Sequence, residues 1–264
     1  YMTPLQYHPE NPFIPFTTPP SYSAELAKRY GYYKTIGWNY DTHALRQDVI
    51  TEEFFIEDVK QTMKWHEQLI LDEISKGDFD LLIGMWMATD RIAHLFWRFI
   101  DSNHPMFDES KAKLFGKVIE DTYKIMDRIV GNVLATTSEN DLLILMSDHG
   151  FTTYRRGFNL TTWLIREGYL AVEGQTDPDK AYNDKPYLQG YDWERTKAYA
   201  LGLGSIYVNL EGREANGIVS SANYRELVSE IKNKLLSVKD PITDQPIIKN
   251  VYTRENYSGV SINS

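Results

Sequence analysis

Two short segments concentrate the side chains able to hold a cation. Asp90 and His94 stand four residues apart in Asp90-Arg91-Ile92-Ala93-His94, and Asp148 and His149 are adjacent in Ser147-Asp148-His149-Gly150. At the start of a helix, the first spacing puts a carboxylate and an imidazole one turn apart on one face, within reach of one ion. In the second, neighbouring side chains converge only if the backbone bends, a bend that Gly150 is expected to permit. Oxygen and nitrogen donors together suit zinc, with manganese or iron also accommodated. Each segment alone has a plainer reading: Asp90 as a helix cap beside a packed surface histidine, and Asp-His-Gly as a turn.

What sets the pairs apart is what precedes them. Phe79 to Met87 and Asp141 to Met146 are nearly continuous apolar runs, the pattern of strands buried on both faces of a parallel sheet. Ligands of open α/β sheets gather beyond the carboxyl ends of the strands, so two such ends, each carrying an acid and a histidine, suit a pair of metals. The helices fit the same plan. Thr51 is placed to cap a long helix, with Phe55, Val59, Met63, His66, Ile70 and Ile74 along one face and Gly77 at its end. A second long helix is predicted from Asp108 to Leu134. Helix, strand, helix, strand in this order predicts an α/β layered fold.

The remaining stretches are less regular. Residues 1–20 are rich in proline and aromatics and predict a lead-in without regular structure. A short helix is expected from Ser23 to Tyr30, ending at Gly31. Asn159 is placed to cap another that ends at Gly168, and residues 173–190 read as a loop. Ala198–Leu201 and Ile206–Leu210 suggest strands about Gly202 and Gly204, Tyr224–Leu236 a helix, and Ile247–Tyr252 a strand. The expected division is a core over 1–172, then, over 173–264, a lobe or insertion followed by the start of a return to the core.

Composition narrows the function classes. With 264 residues the chain can bury one large core or two modest ones. Its net charge of −9 argues against a broad nucleic-acid surface, so an acidic protein handling phosphate needs local positive charge, which metal ions supply. No cysteine is present, which excludes disulfides and thiol chemistry without fixing the compartment. No apolar run approaches the roughly 20 residues of a membrane span, and the opening residues are not expected to act as a signal peptide. The first residue is Tyr1, which suggests an excised or processed piece.

Several segments carry a resemblance. Met87-Ala88-Thr89-Asp90-Arg91-Ile92-Ala93-His94-Leu95-Phe96-Trp97-Arg98, with His104-Pro105, resembles a signature of the type I phosphodiesterase/nucleotide pyrophosphatase branch of the alkaline phosphatase superfamily. So do Leu145-Met146-Ser147-Asp148-His149-Gly150-Phe151, Phe158 to Leu164 and Glu167-Gly168-Tyr169-Leu170. Farther on, Lys197 to Gly202, Asn209 to Glu214 and Gly217-Ile218-Val219 are similar to the same branch. The resemblance runs from about residue 20 onward.

It implies an alkaline-phosphatase-like α/β/α layered sheet, incomplete here, with a smaller C-terminal lobe. It implies two divalent metals, zinc foremost, one bound by Asp90 and His94 and the other by Asp148 and His149. Two such ions activate a nucleophile and stabilise a leaving oxygen, and the implied substrate is a phosphate-ester small molecule or nucleotide. A Ser or Thr nucleophile forming a phospho-enzyme and a later ligand histidine are also implied. No histidine follows His149, and no nucleophile segment is recognisable near the start. Both are expected from missing N- and C-terminal parts of the same protein, and the fragment alone is expected to be inactive. A phosphomonoesterase, phosphomutase or sulfatase of the same superfamily is the nearest alternative, and a non-catalytic binding domain the alternative from another class.

Other candidates read more simply. Arg155 and Arg156 could meet a substrate phosphate, but surface solvation is the expected role. Asn159 reads as a cap, and Arg213 as a partner of Glu214. His66 reads as a core histidine, His104 as structural, and Trp86, Trp97 and Trp163 as core aromatics.

Overall fold

Thr51 begins the element around which the first half of the chain is built. Its hydroxyl accepts the Phe54 N–H at 3.3 Å, Glu52 and Glu53 sit in the first turn, and the helix runs Glu52–Lys76 before Gly77 turns left-handed at φ 66°. We number it α3, after α1 (Tyr22–Tyr30) and α2 (Thr42–Arg46). The computed structural model describes residues 6–35, 39–174 and 188–256, and the chain divides into two compact units, Tyr1–Arg156 and Gly157–Ser264.

In the first unit, the expected stripe of α3 is the core face: Phe55, Val59 and Met63 are buried. Against them pack Ile92 and Phe96 of α4 (Ala88–Phe96) and Ile129 of α6 (Val118–Thr136). The Phe55 and Phe96 rings stack 6.3 Å apart, and Phe96 meets Phe115 edge-on at 6.0 Å. Two acids on α3 complete the joints. Glu52 takes Lys111 and Arg98, and Glu67 receives both Arg128 nitrogens at 2.6 and 2.9 Å and the Asn132 amide at 2.7 Å. His66, expected in the core, is half-buried on α3, and that burial lowers its pKa.

The long helix expected from Asp108 to Leu134 is two helices, α5 (Glu109–Phe115) and α6, separated at Gly116 and Lys117. Asp108 caps the first, accepting the Lys111 N–H at 2.9 Å. A glycine is a poor helix residue, and the break lets Phe115 turn into the core while α6 packs along α3 and α4.

The apolar runs are the larger departure. Residues 79–87 and 141–147 form no strand, and Leu81, Ile83, Met85, Leu142 and Met146 are exposed. A strand of this composition is held by hydrogen-bonded neighbours and by layers on both faces. Among the described residues no neighbouring strand pairs with either run, although α3 lies against one side of the first, where Trp65 and Ile70 line a cavity with Ile83 and Trp86. The hydrophobic pattern is thus present without the ladder it normally accompanies.

The second unit holds the one ladder of the described residues, an antiparallel hairpin of β1 (Ala198–Leu201) and β2 (Ser205–Val208) in register Ala198↔Val208 to Leu201↔Ser205. Asn159 caps α7 (Leu160–Arg166) as expected, accepting Thr162 N–H at 2.9 Å, and α8 (Ser221–Leu236) lays Leu227, Ile231 and Leu235 into a core shared with Trp163, Leu164 and Tyr169. Gly217 is required here, because a Cβ would lie 2.1 Å from the Leu210 carbonyl oxygen. Ile247–Tyr252 is irregular rather than a strand; an isolated bridge pairs Lys239 with Pro246 just before it. Most of the expected 173–190 loop lies outside the described residues. No helix among the described residues is long and apolar enough to cross a membrane.

The buried Glu67 carboxyl is held below its ordinary value of 4.5, first by the Arg128 hydrogen bonds. A carboxyl depressed in the folded chain stabilises it above 4.5, and that contribution is lost as pH falls through the folded value. Glu67→Gln is therefore expected to lower stability near neutrality by about 1.5–3 kcal/mol, with a shallower acid limb than the parent. Urea unfolding of both proteins across acid and neutral pH checks this; parallel limbs would contradict it.

Candidate metal centre

The first pair stands on α4. Ala88, Ile92, Ala93 and Phe96 are buried, which fixes the helix against the first unit's core and sends Asp90 and His94 to its other side. Asp90 lies in the first turn, where the helix dipole favours a carboxylate. Its two oxygens do different things. Oδ2 pairs with Arg91 Nη1 at 3.0 Å, while Oδ1 lies 3.4 Å from His94 Nε2 and 3.7 Å from His149 Nε2. One carboxylate oxygen thus joins the two predicted pairs.

The second pair sits on a tight turn. The Ser147 hydroxyl donates to the His149 carbonyl at 2.6 Å, and the His149 N–H donates to Asp148 Oδ1 at 3.1 Å. Gly150 was expected to supply conformational freedom, yet it has no left-handed φ, and a Cβ there would meet nothing within 4 Å. The side-chain bonds of Ser147 and Asp148 shape this turn instead.

His149 Nδ1 lies 3.0 Å from the Gly150 carbonyl. A carbonyl only accepts, so Nδ1 carries the proton and Nε2 is left with its lone pair. That nitrogen faces Asp90 Oδ1 at 3.7 Å and Asp148 Oδ2 at 3.6 Å. A lone pair opposite two carboxylates is favourable only with a cation between them, either a proton or a metal. The His149 pKa is accordingly raised, by the Gly150 hydrogen bond first and then by Asp148 and Asp90. The cluster is open: Asp148 is 89% exposed and both imidazoles about half.

Phe151 sits between the pairs. Its ring meets His94 edge-on at 4.8 Å and His149 at 5.7 Å, and stacks on Trp97 at 5.8 Å. Just beyond, Arg155 forms a two-pronged pair with Asp101, Nε to Oδ2 at 2.7 Å and Nη2 to Oδ1 at 2.8 Å, and the Thr153 hydroxyl bonds the same carboxylate. Arg155 above all holds the Asp101 carboxyl far below the usual carboxylate range. His104 Nδ1 accepts the Met106 N–H at 3.0 Å, so Nε2 bears the proton and donates to the Tyr154 carbonyl at 3.0 Å.

Asp90 thus stands near both His94 and His149, and Asp148 near His149 alone; carboxylates and imidazoles are donor types that borderline divalent ions accept. They meet pairwise: among the described residues no three His, Asp or Glu side chains converge on one point as a ready-made ion site. Sequence reasoning missed Arg91, Phe151 and the Asp101–Arg155 pair. Arg155 was assigned to surface solvation, and it is instead committed to Asp101. Spacing within Trp97-x-x-x-Asp101-x-x-His104 is the signal that could have marked the acid. Arg213 pairs with Glu214 at 2.6 Å and with the Val208 carbonyl at 2.6 Å in the second unit.

In the metal-free chain His149 is expected to titrate above its ordinary 6.5, and Asp148→Asn and Asp90→Asn should each lower that midpoint. Imidazole nitrogen shifts followed by NMR across pH check it; midpoints unchanged in both variants would remove the carboxylates from the account.

No curated protein and no solved structure matches the chain. The family model described as type I phosphodiesterase / nucleotide pyrophosphatase matches residues 6–261. The match takes in both Asp/His pairs and almost everything else in the sequence, and the chain belongs to this family of hydrolases within the alkaline phosphatase superfamily.

Proposed function

We propose that the protein hydrolyses a phosphodiester or nucleotide pyrophosphate with two divalent metals, probed most directly as zinc, held by Asp90 and His94 and by Asp148 and His149. The observation that carries this is the Asp90 carboxylate, whose Oδ1 stands within 4 Å of both imidazole Nε2 atoms. Family membership supports it independently, since such hydrolases are generally metal-dependent. Bound metals would supply positive charge for the phosphate oxygens and for the attacking and leaving oxygens.

The chain's own residues prepare that chemistry. Arg91 holds Asp90 Oδ2, so Oδ1 stays turned to the imidazoles. The Gly150 carbonyl keeps the proton on His149 Nδ1, leaving Nε2 as the donor atom. Exposure of both imidazoles leaves the approach open to an anionic ester. The reading includes a layered α/β/α sheet and a Ser or Thr that attacks phosphorus to form a phospho-enzyme; neither is assigned to particular residues. Manganese or iron would satisfy the same donors.

The test is metal content and hydrolysis of the intact protein purified without chelator, on an aryl phosphate diester, an aryl phosphate monoester and an aryl sulfate. The diester is expected to be preferred, with stoichiometric transition metal. Asp148→Ala should reduce metal content and lower hydrolysis by more than the about 10–100-fold that outer partners of a ligand are worth. Undiminished activity in that variant would refute the ligand assignment, and a preference for monoester or sulfate would reassign the substrate.

A further inference from the structure

Residues 151–155 follow the Asp148-His149 turn directly, and their attachment is unusually dense for a segment without regular structure. Apart from His94, whose ring also meets Phe151, the anchoring groups lie on one short stretch of chain, Trp97 to His104, immediately after α4. Trp97 stacks on Phe151, Asp101 takes both Thr153 and Arg155, and His104 holds the Tyr154 carbonyl. The partners are about 50 residues apart in sequence, so these contacts are tertiary. Asp101 is only 10% exposed, with Arg155 on both its oxygens and the Asn103 N–H donating to Oδ1 at 3.1 Å.

The two anchored ends are the two metal-bearing segments. α4 carries Asp90 and His94 and runs directly into Trp97; the 148–150 turn runs directly into Phe151. We propose that Asp101, acting through Arg155, is a positioning residue: it latches the segment after Asp148-His149 to the segment after His94, and so sets the spacing between the metal pairs. The inference rests on the metal reading above and assigns Asp101 no contact with metal or substrate. A planar guanidinium bound on both prongs fixes orientation as well as distance, which a single lysine ammonium cannot do. With no strand ladder under 141–147 among the described residues, the latch holds the turn together with the Phe151 stack and the His104 hydrogen bond.

The experiment is a zinc titration of the full 264-residue chain, with cobalt absorption as a second reading, on the parent, Asp101→Asn, Arg155→Lys, His149→Ala and Asp101→Asn/His149→Ala. Circular dichroism and thermal melts accompany each. Asp101→Asn and Arg155→Lys are expected to weaken zinc binding about 10–100-fold and to alter the cobalt band, with melts close to the parent's. In the His149→Ala background, Asp101→Asn should weaken zinc binding by clearly less than it does in the parent, because one of the two side chains the latch positions is gone. A loss that persists in full in that background would show a general structural role and overturn the proposal. Parent-like affinity in Arg155→Lys and Asp101→Asn would overturn it as well, while leaving the metal reading standing. Absence of zinc binding by the parent would instead refute the metal reading, and the latch with it.

Discussion

The arrangement around Asp90 depends on one carboxylate being divided between two tasks. Left to itself, an aspartate in the first turn of a helix rotates to share its charge between solvent and the nearest amides. Here Arg91, only 12% exposed, occupies Oδ2 at 3.0 Å, and the remaining oxygen is turned toward His94 and His149. The cation beside it lowers the cost of concentrating negative charge there, while the helix dipole contributes in the same direction. If Asp90 were free to turn, His94 and His149 would share no acceptor, and the two pairs would be separate features of the surface.

Holding that carboxylate in place requires α4 to be immobile, and the first unit's core provides this. Phe96 packs against Phe55 of α3 and against Phe115 of α5, so α4 is gripped from two directions. The acids of α3 act as fixed joints at the margins of this core. Glu52 reaches Arg98 just past α4 and Lys111 on α5, and Glu67 ties α3 to α6 through a bidentate arginine. Partly buried ion pairs add little net stability compared with apolar packing, but they discriminate sharply among registers, and register is what a site of side chains on separate elements needs.

How much of this was legible in the sequence follows the range of the interactions. Features decided within one turn of chain were readable: the Thr51 and Asn159 caps, the Gly77 stop, the apolar stripe of α3 and the helical spacing of Asp90 and His94. The hairpin about Gly202 and Gly204 was readable for the same reason. Features decided by distant partners were not. The interruption at Gly116 depends on Phe115 finding the aromatic cluster, and the role of Arg155 depends on an aspartate 54 residues away. Gly150 shows the converse error, because an Asp-His-Gly turn suggests a glycine-dependent bend when two side-chain hydrogen bonds produce it.

The apolar runs before each pair expose the difference between pattern and ladder. Hydrophobic composition states what a segment can bury; it does not supply the neighbours whose N–H and C=O groups complete a sheet. Residues 79–87 and 141–147 have the first without the second among the described residues. In an open α/β sheet, the strand beneath a site fixes the turn that follows it, so side chains there need only point correctly. Here that support has to come from side chains themselves. Phe151 on Trp97, the Asp101–Arg155 pair and the His104 hydrogen bond form three attachments of different chemistry within five residues. Each restricts a different freedom: the stack limits tilt, the guanidinium fork limits rotation, and the imidazole–carbonyl bond limits sliding along the chain. Together they give the Asp148-His149 turn a defined position relative to α4, which is the condition for Asp90 to face both imidazoles at once.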